Sequence, residues 1–403
     1  MSEAKRIKIA IVSDMHCHPE SKNSAENQTW LFSDKLRRPT NEHPVENLLE
    51  IIDNKKIEVD YVLSPGDYAD QANKQGLLSG WSYLKEMALA MKCPEILGTI
   101  GNHDIDSRHT YSNYSYEMPR KIRQNFPLHD NVLGKFWDEG YSFIDTDDVQ
   151  FLIINSCHYH THYEKSNPNA TVENPAIKGK IDPAQLEEIE KILNSSCDHT
   201  KIKIAMSHHH PVTHARSNLG EKDTMEHGQE LIELLGKFKF DLYLYGHKHD
   251  PWMRYVNTTS GHLLPTFSSG SFSATTQVLW ANKNNYFHLI EIIKQGSQIA
   301  TGEIETYTFQ NQIGWQQGKD LGFLTNTGFG NHEAIEDISN RIINLFNGRS
   351  VIPWKEVIAG VPEISHLTPE KIEMLENDLG SRNVHVGNKI GINPKHLYYA
   401  DSN

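Results

Sequence analysis

The chain has 403 residues, of which 37% are hydrophobic, and a formal net charge of −13 at pH 7. This length exceeds the size at which one hydrophobic core usually stops growing, so we expect a catalytic domain and an accessory segment. The net charge excludes a surface that coats nucleic acid in general, although it leaves room for a local basic groove. No apolar run approaches a membrane-spanning length.

The N-terminus and the cysteines bear on the cellular compartment. The first residues lead directly into a predicted strand at residues 7–13, which a cleavable signal would have to remove. The four cysteines show no paired short spacing, as is typical of reduced thiols. We therefore expect a cytoplasmic protein without a membrane partner.

Strands and helices alternate through the first hundred residues. β-Branched or apolar runs predict strands at residues 7–13, 60–64 and 95–100, and apolar residues at helical spacing predict helices that begin at Pro44 and near Trp81. Proline suits the first position of a helix, because its missing N–H has no partner there anyway. The alternation favours a mainly parallel α/β sheet with helices on its faces.

Two inserts interrupt this pattern, at about residues 105–140 and 157–181. The first combines aromatic rings with arginine and lysine, so it either binds a base and a phosphate or forms a small helical subdomain that buries its own rings. Residues 141–155, between the inserts, predict a hairpin. The second insert is polar, and we interpret it as a lid.

Five short polar clusters follow predicted strands, which is where open α/β sheets build their sites. They are Asp14-Met15-His16, Gly66-Asp67, Gly101-Asn102-His103-Asp104, His208-His209-His210-Pro211 and Gly246-His247-Lys248-His249. Each cluster alone is weak evidence, because Asp, Asn and His also serve turns and helix caps. Together they indicate one shared site.

The side chains of these clusters have a chemical preference. Carboxylates, imidazoles and an amide oxygen without a thiolate suit Mn, Fe, Co, Ni or Zn ions better than a closed structural zinc site. Seven such ligands are too many for one ion and about right for two that share a carboxylate. Two ions about 3.5–4 Å apart can clamp the attacking and departing oxygens of an in-line displacement.

The order of the clusters resembles the calcineurin-like metallophosphoesterase superfamily over roughly residues 7–310. The resemblance implies an α/β fold in the form of a four-layer α/β/β/α sandwich. It also implies two metal ions, with Mn or Fe favoured. The first would be held by Asp14, His16, Asp67 and His249. The second would be held by Asp67, Asn102, His209 and His247, with Asp67 bridging the two.

The same resemblance implies a mechanism. A metal-bridging hydroxide would attack phosphorus in line, while the metals and His103 neutralise charge on the equatorial oxygens. His103 would protonate the leaving group, and Asp104 would orient the ring of His103. Both are therefore candidate catalytic residues.

The choice of His209 rests on spacing alone. The family pattern is His, any residue and then Pro, and the distance to Pro211 selects His209 from three consecutive histidines. Strand alternation turns His208 and His210 to the opposite face, where either could contact substrate. Either could also be the ligand in place of His209.

The cluster pattern ends before residues 311–403, which we interpret as an accessory, partly helical segment after a catalytic domain at residues 1–310. Residues 314–332 are rich in Gly, Asn and Thr and predict a linker or an extended wrap. Residues 334–346 and 368–379 predict amphipathic helices, the second with Thr368 as its N-cap. Three roles are open to this segment: it caps the catalytic domain, forms an oligomer or binds a partner.

The sequence therefore predicts a metal-dependent phosphoric ester hydrolase. A phosphodiesterase for a nucleotide-like or other small diester is favoured, since the cluster spacing most resembles the cyclic-nucleotide and glycerophosphodiester branches of the family. A nuclease acting on DNA or RNA is the first alternative. A phosphomonoesterase or protein phosphatase is the second. The non-enzymatic alternative is a metal-binding scaffold of the same fold.

Overall fold

The computed structural model describes most of the chain. The described residues are 4–21, 29–107, 111, 114–122, 125–162, 178–214, 223–275, 284–317, 323–387 and 396–399. Within these ranges, no helix is both long and apolar enough to cross a membrane.

The strands in chain order are β1 (Lys5–Ile11), β2 (Tyr61–Ser64), β3 (Glu95–Gly98), β4 (Tyr141–Asp145), β5 (Val149–Ile154), β6 (Ile202–Met206), β7 (Leu242–Tyr245), β8 (Pro251–Asn257), β9 (Leu263–Ser269), β10 (Asn285–Lys294), β11 (Thr301–Gln310), β12 (Gly314–Gln316), β13 (Asn326–Phe329), β14 (Val351–Pro353), β15 (Val384–Gly387) and β16 (His396–Tyr399). The helices are α1 (Pro44–Lys55), α2 (Lys74–Ala90), α3 (Asp130–Asp138), α4 (Pro183–Ser196), α5 (Gly228–Lys237), α6 (Ile335–Phe346), α7 (Trp354–Gly360) and α8 (Pro369–Ser381).

Two sheets form the centre of the molecule. The first has the order β12-β11-β10-β1-β2-β3, with β13 also paired to β11, and the second has the order β4-β5-β6-β7-β9-β8. The strands that precede the polar clusters run parallel to one another, β1 with β2 and β3, and β6 with β7. Their carboxyl ends therefore meet at one edge of each sheet.

The hydrophobic residues divide the sandwich into layers. Phe151 and Ile153 of β5 face the first sheet, in the same core as α1 and α2, whereas Leu152 and Ile154 face α4 and α5. This alternation is what a strand buried on both faces requires. The predicted four-layer α/β/β/α architecture is confirmed.

The first insert has a buried interior. Tyr116, Phe126, Phe136 and Trp137 belong to the main core, and their rings contact one another edge to face or pack against α2. Tyr111 remains 68% exposed. Packing thus accounts for most of the described aromatic residues here. Residues 163–177 of the predicted lid lie outside the described ranges.

The C-terminal part has its own hydrophobic core, which joins α6, α7 and α8 to the small sheet β14-β16-β15. Both predicted helices are present, and the Thr368 side chain accepts a hydrogen bond from the Lys371 N–H as an N-cap. Residues 314–332, predicted to be a linker or an extended wrap, contain the extended strands β12 and β13, which pair with β11. The first sheet therefore extends beyond residue 310.

Candidate metal centre

Left-handed backbone turns direct the side chains of the site toward one point. Asp14, His16, Asp67, His247 and His249 all adopt positive φ, between 48° and 73°. Such angles are uncommon for residues other than glycine and persist only where the surroundings enforce them. Here each turn lies just beyond the carboxyl end of a parallel strand. The sandwich thus holds five strained residues around a common centre.

The first cluster contains all four residues that the sequence assigned to the first ion. His249 Nε2 lies 3.3 Å from Asp14 Oδ1 and 3.0 Å from His16 Nε2, and His16 Nε2 lies 3.5 Å from Asp67 Oδ2. One potential ligand atom from each residue falls within 4.8 Å of the others. Two carboxylates and two imidazoles converging in this way fit a divalent ion.

The second cluster is built around His208. Its Nε2 atom lies 3.3 Å from Asp67 Oδ2, 3.2 Å from Asn102 Oδ1 and 3.1 Å from His247 Nδ1. The other ring nitrogen, Nδ1, donates a hydrogen bond to the Pro65 carbonyl oxygen at 2.9 Å. In the neutral ring the lone pair is therefore on Nε2. Asp67 Oδ2 thus lies next to both clusters, as a shared carboxylate would.

His209 and His210 occupy the space behind this cluster. The Nδ1 atom of His209 is 2.8 Å from Ser156 Oγ, and its buried Nε2 has no hydrogen-bond partner among the described residues. One ring nitrogen of His209 still lies within 4.8 Å of one ring nitrogen of His208 and one of His247. His210 faces Thr224, at 3.3 Å from Nε2 to Oγ1. Among the three, His208 contacts Asp67 and Asn102.

Burial and neighbouring carboxylates set the protonation of the metal-free site. Burial opposes protonation of His16, but the hydrogen bond to Asp70 and the charge of Asp67 outweigh it and raise its pKa to about 9. Burial likewise opposes protonation of His208, and the charge of Asp67 raises its pKa to about 9. His247, which burial dominates, has a pKa well below 6.5. A cation that binds here replaces protons on His16 and His208.

Asp70 and Asp104 support the site in different ways. Asp104 accepts hydrogen bonds from the backbone N–H groups of Asp67, Ala69 and Gly101 at 2.8–2.9 Å, so it fixes two loops together. The carboxylate next to the ring of His103 is Asp70, at 3.6 Å from Nδ1. Asp70 therefore occupies the place that the sequence analysis gave to Asp104.

Asp223 and Lys248 close one side of the second cluster. Lys248 Nζ lies 2.5 and 2.6 Å from the two oxygens of Asp223, and His247 Nε2 lies 3.1 Å from Asp223 Oδ2. A carboxylate on the outer nitrogen of an imidazole fixes its tautomer and leaves the inner nitrogen as a ligand. No sequence motif includes Asp223, which lies 13 residues after His210.

A family model described as "Calcineurin-like phosphoesterase" matches residues 7–251, and a second, described as "wHTH-Calcineurin_assc", matches residues 327–381. The chain belongs to the calcineurin-like phosphoesterase family. It is thus a hydrolase of phosphoesters, and the family implies a dinuclear centre of divalent metal ions at the two clusters. The candidate ligands fit such a centre.

Solved structures give a wider comparison. A dimetal phosphatase from Danio rerio is 12% identical, with 75% of this chain and 99% of that chain covered and a TM-score of 0.48. The purple acid phosphatase PPD1 from yellow lupin (Lupinus luteus) seeds is 16% identical, with 78% and 53% covered and a TM-score of 0.47. Among curated proteins, none matches the chain.

Proposed function

We propose that the chain is a dinuclear-metal-dependent phosphodiesterase for a nucleotide-like or other small diester. The observation that carries this proposal is the pair of ligand clusters that share Asp67, with His103 beside them and 35% exposed at its side chain. Two ions supply Lewis acidity and an activated nucleophile when they are bound at such a pair of sites. Side chains of the protein hold the ions, donate a proton to the leaving group and position the proton donor.

The ligand assignment we propose modifies the sequence prediction at one residue. The first ion takes Asp14, His16, Asp67 and His249. The second takes Asp67, Asn102, His208 and His247. We choose His208 over His209 because its Nε2 lies 3.3 Å from Asp67 Oδ2 and 3.2 Å from Asn102 Oδ1, whereas His209 is grouped with His208 and His247. Oxygen and imidazole ligands without a thiolate support Mn or Fe, which we propose as the resident metals.

His103 is the proposed general acid. Its Nδ1 lies 3.2 Å from the Gln71 backbone nitrogen and 3.6 Å from Asp70. To act as the acid the ring would be the imidazolium, with Nδ1–H facing the Asp70 carboxylate and Nε2–H facing the departing oxygen, so that donation of the Nε2 proton leaves a neutral imidazole. Asp70 also lies 3.4 Å from Nδ1 of His16. This carboxylate therefore positions a proposed acid and a proposed metal ligand together, while Asp104 holds the loops that carry both.

The charge of the described site supports a diester. Lys248 is the lysine beside the second cluster, and Asp223 neutralises it through both carboxylate oxygens. A phosphomonoester carries nearly two negative charges near neutral pH, whereas a diester carries one. A site whose neighbouring lysine is already paired suits the smaller charge better.

A nuclease is the second candidate. It is supported by exposed aromatic rings in the first insert, because Tyr111 and Tyr114 are 68% and 41% exposed and Arg120 donates to the Tyr114 hydroxyl at 3.2 Å. Rings of this kind can stack on unpaired bases. A cytoplasmic location and an oligomer formed through residues 311–403 stay predictions.

A turnover panel tests the function. The Mn²⁺-loaded protein is assayed on bis-p-nitrophenyl phosphate, p-nitrophenyl phosphate, cyclic nucleotides, and single- and double-stranded DNA. We expect small diesters to have the highest kcat/KM. Preference for DNA would favour the nuclease, and preference for the monoester would overturn the diester assignment. A protein that binds two metal ions and turns over no substrate would favour the scaffold.

A further inference from the structure

A second polar cavity lies at the end of the second sheet opposite to the metal centre. Lys203 stands at the start of β6 and Asp241 just before β7, whereas His208 and His247 follow the ends of the same two strands. The cavity has a volume of about 330 Å³. Its charged and titratable lining residues include Lys203, Lys237, Lys239, Asp241, His262 and Lys294.

The lining is strongly cationic in a chain that is acidic as a whole. Four lysines face one aspartate, while the full chain has a formal net charge of −13. Lys237 is compensated, because its Nζ lies 2.5 Å from Glu190 Oε1. Lys294 is compensated by Asp241, at 2.7 Å from Nζ to Oδ2. Among the described residues, neither Lys203 nor Lys239 has a carboxylate oxygen within 4.0 Å of its Nζ.

Lys203 is the most unusual of these residues because its side chain is fully buried. Its Nζ lies 2.9 Å from Nδ1 of His199, a neutral acceptor. Over the described ranges, no carboxylate comes within 4.0 Å of this nitrogen. Asp241 is occupied by Lys294 and by the backbone N–H of Lys203 itself, at 2.9 Å. Burying a cation without an adjacent counter-charge costs several kcal/mol, so burial lowers the pKa of Lys203, while Cys197 and the charge of Asp241 partly oppose this shift.

The positive charges of the cavity also affect the protonation of His199, which lies next to Lys203. His199 has a pKa below 6.5, first because it is partly buried and then because Lys203, Lys239 and Lys294 repel a further positive charge. Burial lowers the pKa of His262, although its ring donates a hydrogen bond to the Phe240 carbonyl oxygen at 2.7 Å. The cavity thus combines two uncompensated lysines with neutral hydrogen-bonding rings.

We propose that this cavity binds a small phosphate-bearing anion, with Lys203 at its floor and Lys239 at its rim. Two positive charges without carboxylate partners match a phosphate dianion better than a monoanion. The volume lies at the lower limit of cavities that hold small ligands, which favours a phosphate with a small organic group over a large nucleotide. The ion completes the charge balance of Lys203 and is separate from the dinuclear centre.

Phosphate binding to the metal-loaded protein tests this site. Calorimetric titration with inorganic phosphate should detect two binding sites in the native chain, one at each end of the second sheet. Asp67→Asn, which disables the metal centre, should retain one. In that background Lys239→Glu should weaken phosphate binding by about tenfold or more, since it reverses a charge beside the ligand. Lys203→Met should do the same, and the exposed Lys239 keeps the test valid if the buried substitution unfolds the protein.

Lys92→Glu is the matched control, because Lys92 is an exposed lysine after α2 in the opposite helix layer, paired with Glu58. It makes the same charge change and should alter the affinity less than twofold. Equal effects of Lys239→Glu and Lys92→Glu would overturn the proposal, as would loss of all phosphate binding in Asp67→Asn. Acetate that binds as tightly as phosphate would overturn the choice of a dianion. Lys239→Glu should leave kcat unchanged.

Discussion

At the scale of single residues, the site depends on strained backbone. The left-handed conformation of each of the five residues destabilises the folded state by about 1 kcal/mol or more. The packing of the surrounding sandwich offsets this strain. Gly66 is one of the reasons that this is feasible. It has a φ of 103°, and a Cβ on it would overlap the backbone of Ile100 and Gly101, so the loops after β2 and β3 approach closely there. That approach brings Asp67 and Asn102 to a common centre.

Loss of the His103 imidazole should affect chemistry and spare the metals. His103→Ala removes the proposed proton donor, and we expect kcat on a small diester to fall by roughly 10²–10⁴. The metal content measured by mass spectrometry should stay at two ions per chain, since the side chain is not among the proposed ligands. His103→Gln is the control for packing. Unchanged kcat in His103→Ala would remove this residue from the mechanism.

Loss of the Asp223 carboxylate should weaken one metal position. Asp223→Asn leaves a neutral amide that cannot form the ion pair with Lys248 and is a weaker acceptor for the His247 ring, and such changes typically lower metal affinity by 10–100-fold. Competitive titration with a chelator should show this loss for one of the two ions. Asp34→Asn, in a loop that binds Ser21, serves as a control carboxylate. Weakening of both ions equally would contradict the assignment of His247 to the second position.

The sequence predicts the residues that belong to motifs better than the residues that support them. Asp14, His16, Asp67 and His249 converge as expected, because each directly follows a strand whose direction is readable. The sequence also indicates Asp70, because it lies three residues after Asp67 in the same loop. No such signal indicates Asp223. Its position depends on a long connection between β6 and α5, whose path local sequence does not determine.

At the scale of elements, the sequence predicts an extended conformation as one of two alternatives for residues 314–332, and it does not predict that these strands join the first sheet. The segment at residues 314–332 has the Gly and Asn content of a linker, yet β12 and β13 add to the edge of the first sheet. Gly328 explains part of this. A Cβ there would overlap the carbonyl oxygens of Gly302 and Ser365, so glycine permits a close approach rather than a flexible connection. The helices α1, α6 and α8 were predictable from their apolar spacing, and the N-terminal residues Pro44 and Thr368 support α1 and α8.

The strand β10 contains a histidine that should make stability depend on pH. His288 is fully buried between the Thr306 hydroxyl at 2.8 Å and the Ser269 carbonyl oxygen at 2.7 Å, and burial lowers its pKa to about 4. Because the folded pKa is below the unfolded value of about 6.5, its contribution is complete above pH 6.5 and is lost as pH falls toward 4. Between pH 7.5 and 5 the loss is about 2 kcal/mol.

Urea unfolding of the metal-free protein at pH 7.5 and pH 5 measures this effect. His288→Gln keeps a donor for Ser269 and does not titrate, so we expect it to be less stable than the native chain at pH 7.5 and to lose about 2 kcal/mol less on acidification. The other buried histidines contribute equally to the pH dependence of both proteins, so the difference between the two profiles isolates His288. Parallel pH profiles would show that His288 is not the titrating group.

At the scale of the whole molecule, the metal centre joins the two sheets. The proposed ligands of the first sheet, which follow its strands, are Asp14, His16, Asp67 and Asn102, and those of the second sheet are His208, His247 and His249. The two sheets otherwise contact mainly through apolar side chains. Bound ions would therefore crosslink the layers at the edge where strained loops meet.

Removal of the metals should consequently destabilise the entire sandwich. A ligand at 1,000 times its dissociation constant stabilises the folded state by about 4 kcal/mol, so we expect calorimetry to show a lower Tm after treatment with EDTA. Asp67→Asn should have a low Tm that EDTA does not change further. An identical Tm for the native chain with and without EDTA would indicate that the clusters bind metal too weakly to join the sheets.

The C-terminal helices match a model named for a winged helix-turn-helix, yet the charge of α8 argues against DNA binding. In a helix-turn-helix the second helix enters the major groove, and that position falls to α8. Four acidic residues lie on α8, and its lysine, Lys371, contacts the Asn331 carbonyl oxygen at 2.8 Å. Leu375 and Leu379 belong to the C-terminal core, and Glu376 borders a cavity shared with acidic residues of the first sheet.

We therefore expect residues 327–381 to serve protein architecture instead of reading a duplex. Repulsion between α8 and phosphates should keep the dissociation constant of the native chain for a 20-base-pair duplex above about 10⁻⁴ M at 150 mM salt, the weak limit of non-specific binding. Fluorescence anisotropy measures this constant. Glu370→Lys together with Glu373→Lys should tighten binding if the helix is accessible to the duplex. Micromolar binding by the native chain that Lys371→Ala abolishes would contradict the expectation and would make α8 a genuine recognition helix.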